Sequence, residues 1–182
     1  MMRTEIAAFS VGRGEEISDA ERRIRLLTSL VELPRKLRAD LGRAVTELCR
    51  DLLAQGKKAD VASALVKHNG QWVLEVSVRA AAVDDSDPTR ISPTAESMAR
   101  VRELVDDVVV GNSNHVLFRQ LLGPAFRPPQ PTEVAVWNRM LQQRSFEDAF
   151  IVARQQGWLS FTGGSDLREE RPPGDELVAG QS

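Results

Sequence analysis

The sequence predicts an α+β fold, a two-layer sandwich in which helices cover one face of a mixed, mostly antiparallel sheet, followed by a C-terminal helical extension. Three observations predict this class. Two amphipathic helical patterns lie between residues 18 and 56, an Asn-Gly turn joins two strand-like runs, and a second pair of short strands follows a third helix. The resulting order is β-α-α-β-β-α-β-β, with the helices gathered on one side of the sheet.

The N-terminal part is predicted to hold one strand and one helix. Residues 5–11 are the first strand candidate, and a glycine-rich turn follows at residues 12–14. Ser18 and Glu21 have the spacing of a capping box, which predicts that the first helix begins at Ser18. The apolar residues of this helix share one face, namely Ile24, Leu27, Leu30 and Val31.

The second helix has the most regular apolar pattern in the chain. Pro34 suits its first turn and Gly56 its C-terminal end. The apolar stripe consists of Leu37, Leu41, Ala44, Val45, Leu48 and Leu52. Cys49 lies near this stripe, and no base is evident beside it in the sequence. We therefore interpret Cys49 as a small buried hydrophobe and not as a nucleophile.

The clearest β signal is a hairpin formed by residues 61–67 and 72–79. Asn69 and Gly70 lie in the turn between them, and both residue types tolerate the positive φ of a type I′ turn. The second strand alternates apolar and polar residues, which predicts one buried and one polar face. A third helix is predicted around Met98 and Val101, and a second hairpin spans residues 107–110 and 116–121.

The C-terminal third is predicted to be organised differently from the first 123 residues. A proline-rich linker covers residues 124–131, a helical extension covers residues 132–161, and a disordered tail covers residues 162–182. The apolar residues of the extension need a covering surface, because an isolated helix of this length is marginal in water. That surface is the domain itself, a second copy of the chain, or another protein.

Composition limits the possible classes of function. The chain has 182 residues and a formal net charge of −2, so no overall basic field indicates nucleic-acid binding. A single cysteine excludes an internal disulfide framework and a cysteine-based zinc site. We find no apolar run near 18 residues and no signal-peptide pattern, which predicts a cytoplasmic protein without a membrane partner.

Two carboxylates, Glu47 and Asp51, lie four residues apart at the rim of the second helix's apolar stripe. Like charges at this spacing destabilise a helix by a few tenths of a kcal/mol. One interpretation is a solvated charged edge with Arg43 and Arg50 as partners. The other is a general base beside an Mg²⁺ ligand, since Mg²⁺ takes one or two carboxylates together with phosphate oxygens.

The chain resembles a known family in residues 4–123, within a predicted domain of residues 1–123. Residues 41–51, the hairpin, residues 95–110 and residues 116–121 are similar to the small ATP-binding domain of the GHKL (Bergerat-fold) superfamily. The branch is that of bacterial anti-sigma factors and switch-protein serine kinases, whose corresponding helix carries Glu-x-x-x-Asn. The resemblance implies ATP and Mg²⁺ as cofactors, with Glu47 as the catalytic base and Asp51 as the metal ligand in place of Asn.

The sequence departs from the family at the glycine motifs that admit the nucleotide. Where the family has Asp-x-Gly-x-Gly, this chain has Arg-Ala-Ala-Ala-Val at residues 79–83. Where the second glycine motif is expected, residues 94–98 read Thr-Ala-Glu-Ser-Met. A side chain there blocks the close approach of backbone to phosphate, and Glu96 repels it. We therefore expect ATP binding to be weak or absent.

These features predict a bacterial regulatory protein with a degenerate histidine-kinase-like ATPase domain. It is expected to act by binding a protein of the antagonist or sigma-factor type. A homodimer is also among the expectations. Two alternatives stay open. One is an active ATP-dependent serine/threonine protein kinase or ATP-binding anti-sigma factor. The other is a non-catalytic structural or dimerisation module.

Overall fold

The computed structural model describes residues 2–81, 93–111 and 115–142, together with residues 151, 154 and 155. Its strands are β1 (Met2–Val11), β2 (Ala59–His68), β3 (Gln71–Ala80), β4 (Val108–Val110) and β5 (His115–Leu121). Its helices are α1 (Ile17–Leu30), α2 (Arg35–Ala54), α3 (Ala95–Leu104) and α4 (Pro131–Leu141), and a 3-10 turn at Gly14–Glu16 precedes α1. The predicted α+β class and the element order up to β5 are confirmed.

The strands form one sheet in the order β1-β2-β3-β5-β4. Each neighbouring pair in the described part of the chain is antiparallel, so the parallel component of the predicted mixed sheet is not found there. The β2–β3 pair is the predicted hairpin. Its turn residues Asn69 and Gly70 have φ angles of 49° and 83°, the positive values that a type I′ turn requires.

Helices α1, α2 and α3 cover one face of this sheet and share a hydrophobic core with it. Leu37 of the predicted α2 stripe is only partly buried, whereas the other five side chains are at most 4% exposed: Leu41, Ala44, Val45, Leu48 and Leu52. Opposite them, Val61, Val78 and Val116 pair side by side across three strands and are also buried. The helical layer therefore fixes which face of each strand points inward.

The start of α1 differs from the predicted capping box. The helix begins at Ile17, and Ser18 is an exposed residue inside its first turn. Glu16 holds the entry to the helix, because its carboxylate accepts hydrogen bonds from the backbone N–H groups of Gly12 and Arg13, at 2.7 and 3.1 Å. The bond from Gly12 is the main cause of the lowered pKa of Glu16. The pattern at Ser18 was right about a helix start but wrong about the residue that caps it.

Helix α4 packs into the core of the domain beside β1. Trp137, Met140 and Leu141 are at most 7% exposed and belong to the same hydrophobic cluster as the sheet. Arg23 of α1 donates a 2.6 Å hydrogen bond to the carbonyl oxygen of Leu141. The part of the extension that the structure describes is thus covered by the domain itself, the first of the three surfaces considered for it.

Two sequence predictions lie outside the described residues. These are the part of the helical extension beyond Gln142, apart from residues 151, 154 and 155, and the tail of residues 162–182. Among the described helices, none is long and apolar enough to cross a lipid bilayer.

Cys49 is fully buried on α2, which confirms its interpretation as a core residue. Burial raises the pKa of its thiol to about 12 from 9.0. We expect a thiol reagent such as DTNB at pH 8 to leave the native protein unlabelled and to label the urea-unfolded chain fully.

The native state keeps the thiol proton of Cys49 between pH 9 and 12 while the unfolded state loses it, so the free energy of unfolding should fall as the pH rises through that range.

Candidate functional site

Glu47 and Asp51 lie on the side of α2 that packs against α3. Both are partly buried, as expected for rim residues, and neither belongs to the hydrophobic cluster. The structure therefore places the two predicted site residues together, at the contact between two helices. Both carboxylates make contacts across this helix pair.

Asp51 binds the start of α3. Its Oδ2 atom accepts a 2.7 Å hydrogen bond from the backbone N–H of Thr94, the residue that caps the helix. Thr94 in turn accepts a 3.2 Å hydrogen bond at its Oγ1 atom from the backbone N–H of Ser97. A carboxylate at this end of a helix is favourable, because unpaired N–H groups and the helix dipole give it positive character. Asp51 thus places a negative charge at the beginning of α3.

Glu47 is paired with an arginine of α3. The Nε atom of Arg100 lies 2.9 Å from Oε1 of Glu47, and its Nη2 atom lies 3.0 Å from Oε1 of Glu96. The Glu47 side chain is 20% exposed and that of Arg100 is 54% exposed, so the pair is only partly shielded from water. Such pairs contribute about 0–1 kcal/mol each. Together with Asp51, this pair attaches α3 to α2.

The sequence-based interpretation named Arg43 and Arg50 as the partners of a charged edge. The ion pair of Glu47 that the structure shows is instead with Arg100, which lies on another helix. Sequence spacing could not identify this partner, because the contact depends on how α3 packs on α2. Among the described residues, no group of three or more His, Cys, Asp or Glu side chains is placed to hold a metal ion.

A second candidate site lies on the sheet face opposite the helices. It is a shallow polar trough of about 790 Å³, bordered by β1, β2, β3 and β5. Its lining combines polar residues, including Glu75, Ser77 and Arg79 of β3, with apolar ones such as Phe9 and Leu117. The alternation in β3 predicted a polar face in the sequence, but the residues that join it from β1 and β5 could not be identified before the strand order was known.

No protein-family model matches this chain, and no curated protein matches it. A proposal about function therefore depends on the sequence resemblance together with the contacts of Glu47 and Asp51.

If Asp51 anchors α3, its removal should destabilise the fold measurably. We expect Asp51→Ala to lower the free energy of unfolding by about 1 kcal/mol, since it deletes a charged acceptor at a helix start. Glu103→Ala is the control, since Glu103 is an exposed carboxylate on α3. We expect its loss to cost less than about 0.5 kcal/mol. Urea unfolding followed by far-UV circular dichroism measures both, and equal effects would contradict the anchoring role.

Proposed function

We propose that this protein is a regulator that acts by binding another protein, on an ATPase-like domain that does not use ATP. The resemblance to the GHKL anti-sigma and switch-kinase branch supplies the class of function. The contacts of Glu47 and Asp51 favour the non-enzymatic version of it, because both carboxylates hold α3 against α2. The partner expected from the resemblance is a protein of the antagonist or sigma-factor type.

The observation that carries the proposal is the hydrogen bond from Thr94 N–H to the Asp51 carboxylate. In the resembling family, a glycine-rich segment at the corresponding place lets backbone N–H groups approach the phosphates. Here a carboxylate of the protein lies at the start of the helix instead. A phosphate brought to the same position would meet a fixed negative charge, and like charges at close range repel strongly in a partly shielded site.

The first turn of α3 adds two further obstacles to a nucleotide. Ala95 and Glu96 carry side chains where close backbone approach would require glycine. Glu96 also places a second carboxylate one residue inside α3, where it pairs with Arg100. Arg100 is thus shared between Glu47 and Glu96. In this network of described residues, one positively charged side chain is paired with two carboxylates.

A ligand titration tests this proposal. We expect the melting temperature in about 5 mM MgATP to stay within about 1 °C of its value in MgCl₂ alone, since stabilisation follows RT ln(1 + [L]/Kd). Isothermal calorimetry with MgATP should give no saturable heat. A rise of several degrees, or a saturable binding curve, would contradict the proposal and favour an active kinase or an ATP-binding anti-sigma factor.

A further inference from the structure

The sheet face opposite the helices is open to solvent over much of its area. Residues paired directly across strands share a face, so the register defines its rows. One row runs from Ala8 through Ala62 and Ser77 to Leu117 and Val109. In the described part of the chain, the buried residues of α1, α2, α3 and α4 all belong to the core on the other face. We call this surface the helix-free face.

Charged side chains form two clusters on the helix-free face, one at each end of the polar trough. At one end, Glu75 is paired with Arg3 of β1 and with Arg119 of β5, the latter at 3.3 Å. Glu75 is only 8% exposed, and Ala64, its partner on β2, is buried as well. At the other end, Asp60 accepts a 2.6 Å hydrogen bond from Ser10 and lies 3.8 Å from Arg79.

The two clusters together contain as many positive as negative charges. Arg3, Arg79 and Arg119 provide three positive charges, and Glu5, Asp60 and Glu75 provide three negative ones. Each cluster contains both signs. Two copies of this face can therefore meet with an opposite charge available for each group at either end. A strongly acidic or basic partner would gain no such match.

The middle of the face permits close approach. Ala8, Ala62 and Ser77 have small side chains, so a facing sheet can come near the usual separation of about 10 Å. On the β5–β4 side this row ends in Val109, which is 37% exposed, and Leu121 of β5 is 53% exposed. Exposed apolar side chains beside a neutral polar surface are a common composition of protein–protein interfaces.

The size of the face suits a dimer of moderate stability. The three longest strands are about 33 Å long, β5 about 23 Å and β4 about 10 Å, and with strands about 4.8 Å apart the face spans roughly 600–700 Å². Two such faces would bury about 1,200–1,400 Å² in total, at the lower end of specific interfaces. We infer that the helix-free face is the interface between two copies of this chain, packed sheet against sheet. This inference is independent of the proposed function, because it does not involve α3 or ATP.

Sedimentation velocity of the full chain between about 1 and 200 µM tests the inference. We expect a concentration-dependent dimer. Ala62→Arg should weaken association at least about tenfold, because it buries an unmatched charge at the centre of the interface. Ala99→Arg is the matched control, since Ala99 is exposed on α3 and the substitution and the change in net charge are identical. It should leave the association constant unchanged.

Leu121→Lys supplies a second variant should Ala62→Arg fail to fold, because Leu121 is half-exposed and tolerates replacement. It should likewise weaken the dimer, and thermal melts confirm that each variant is folded. A chain that stays monomeric over the whole concentration range would overturn the inference. So would a dimer that a folded Ala62→Arg or Leu121→Lys variant leaves intact.

Discussion

A chain that ends at Gly123 is expected to lose most or all of its cooperative stability. The deletion removes α4 and with it Trp137, Met140 and Leu141, which lie in the common core. Burial of one such side chain contributes about 1.5–3 kcal/mol, so the loss approaches the 5–15 kcal/mol by which domains of this size are stable. Urea unfolding followed by far-UV circular dichroism, whose signal does not depend on Trp137, measures this loss of stability.

Point variants separate the packing of α4 from other effects of the deletion. Met140→Ala should lower the free energy of unfolding by about 2–5 kcal/mol, because Met140 is fully buried. The neighbouring Arg139 is exposed, and we expect Arg139→Ala to change stability by less than about 0.5 kcal/mol. A cooperative transition for the shortened chain near the wild-type midpoint would show instead that α4 is an appendage.

We expect Leu48→Ala to lower the free energy of unfolding strongly as well. Leu48 is 1% exposed in the stripe of α2 that faces the sheet, and its truncation leaves a cavity in the core. Leucine-to-alanine changes at such sites cost about 2–5 kcal/mol. The preceding residue, Glu47, offers an internal comparison, since its pair with Arg100 is partly exposed. Glu47→Gln should cost less than about 1 kcal/mol.

Guanidinium unfolding of both variants at constant pH gives the two values. If Glu47→Gln destabilised the protein as much as Leu48→Ala does, Glu47 would be a buried structural partner. The account of a rim carboxylate in a shared ion pair would then be wrong.

Most of the fold could be predicted from local sequence patterns. The Asn69-Gly70 turn and the stripe of α2 could be identified because each depends on residues close in the sequence. The capping box predicted at Ser18 was wrong because the chain turns earlier, at Gly14–Glu16. There the Glu16 carboxylate accepts hydrogen bonds from the N–H groups of Gly12 and Arg13.

The candidate sites were harder to predict than the elements that carry them. Glu47 and Asp51 could be selected as a pair, but their partners Arg100 and Thr94 lie some 50 and 40 residues away, on a helix whose docking no local pattern encodes. The helix-free face required the strand order β1-β2-β3-β5-β4, which brings together Arg3, Glu75 and Arg119. Periodicity predicts that a strand has a polar side but not which strands lie beside it.

The structural role of the rim carboxylates has a consequence for how the protein would work. If α3 is fixed to α2 by Asp51 and Glu47, the surface that α3 presents does not depend on a bound nucleotide. Partner binding would then be set by protein concentration and not by the ratio of ATP to ADP. This distinguishes the proposed regulator from an ATP-dependent switch.

The backbone amide resonances of Thr94, Ala95 and Glu96 report whether the start of α3 can accept a phosphate. In ¹H–¹⁵N spectra of the wild-type protein, we expect them to stay in place as MgATP is raised to about 5 mM, because Asp51 already occupies the start of α3. Asp51→Asn alone should move the Thr94 resonance, since it changes the hydrogen-bond acceptor. Saturable shifts of the three amides on addition of MgATP to the wild type would contradict the account and identify this helix end as a phosphate site.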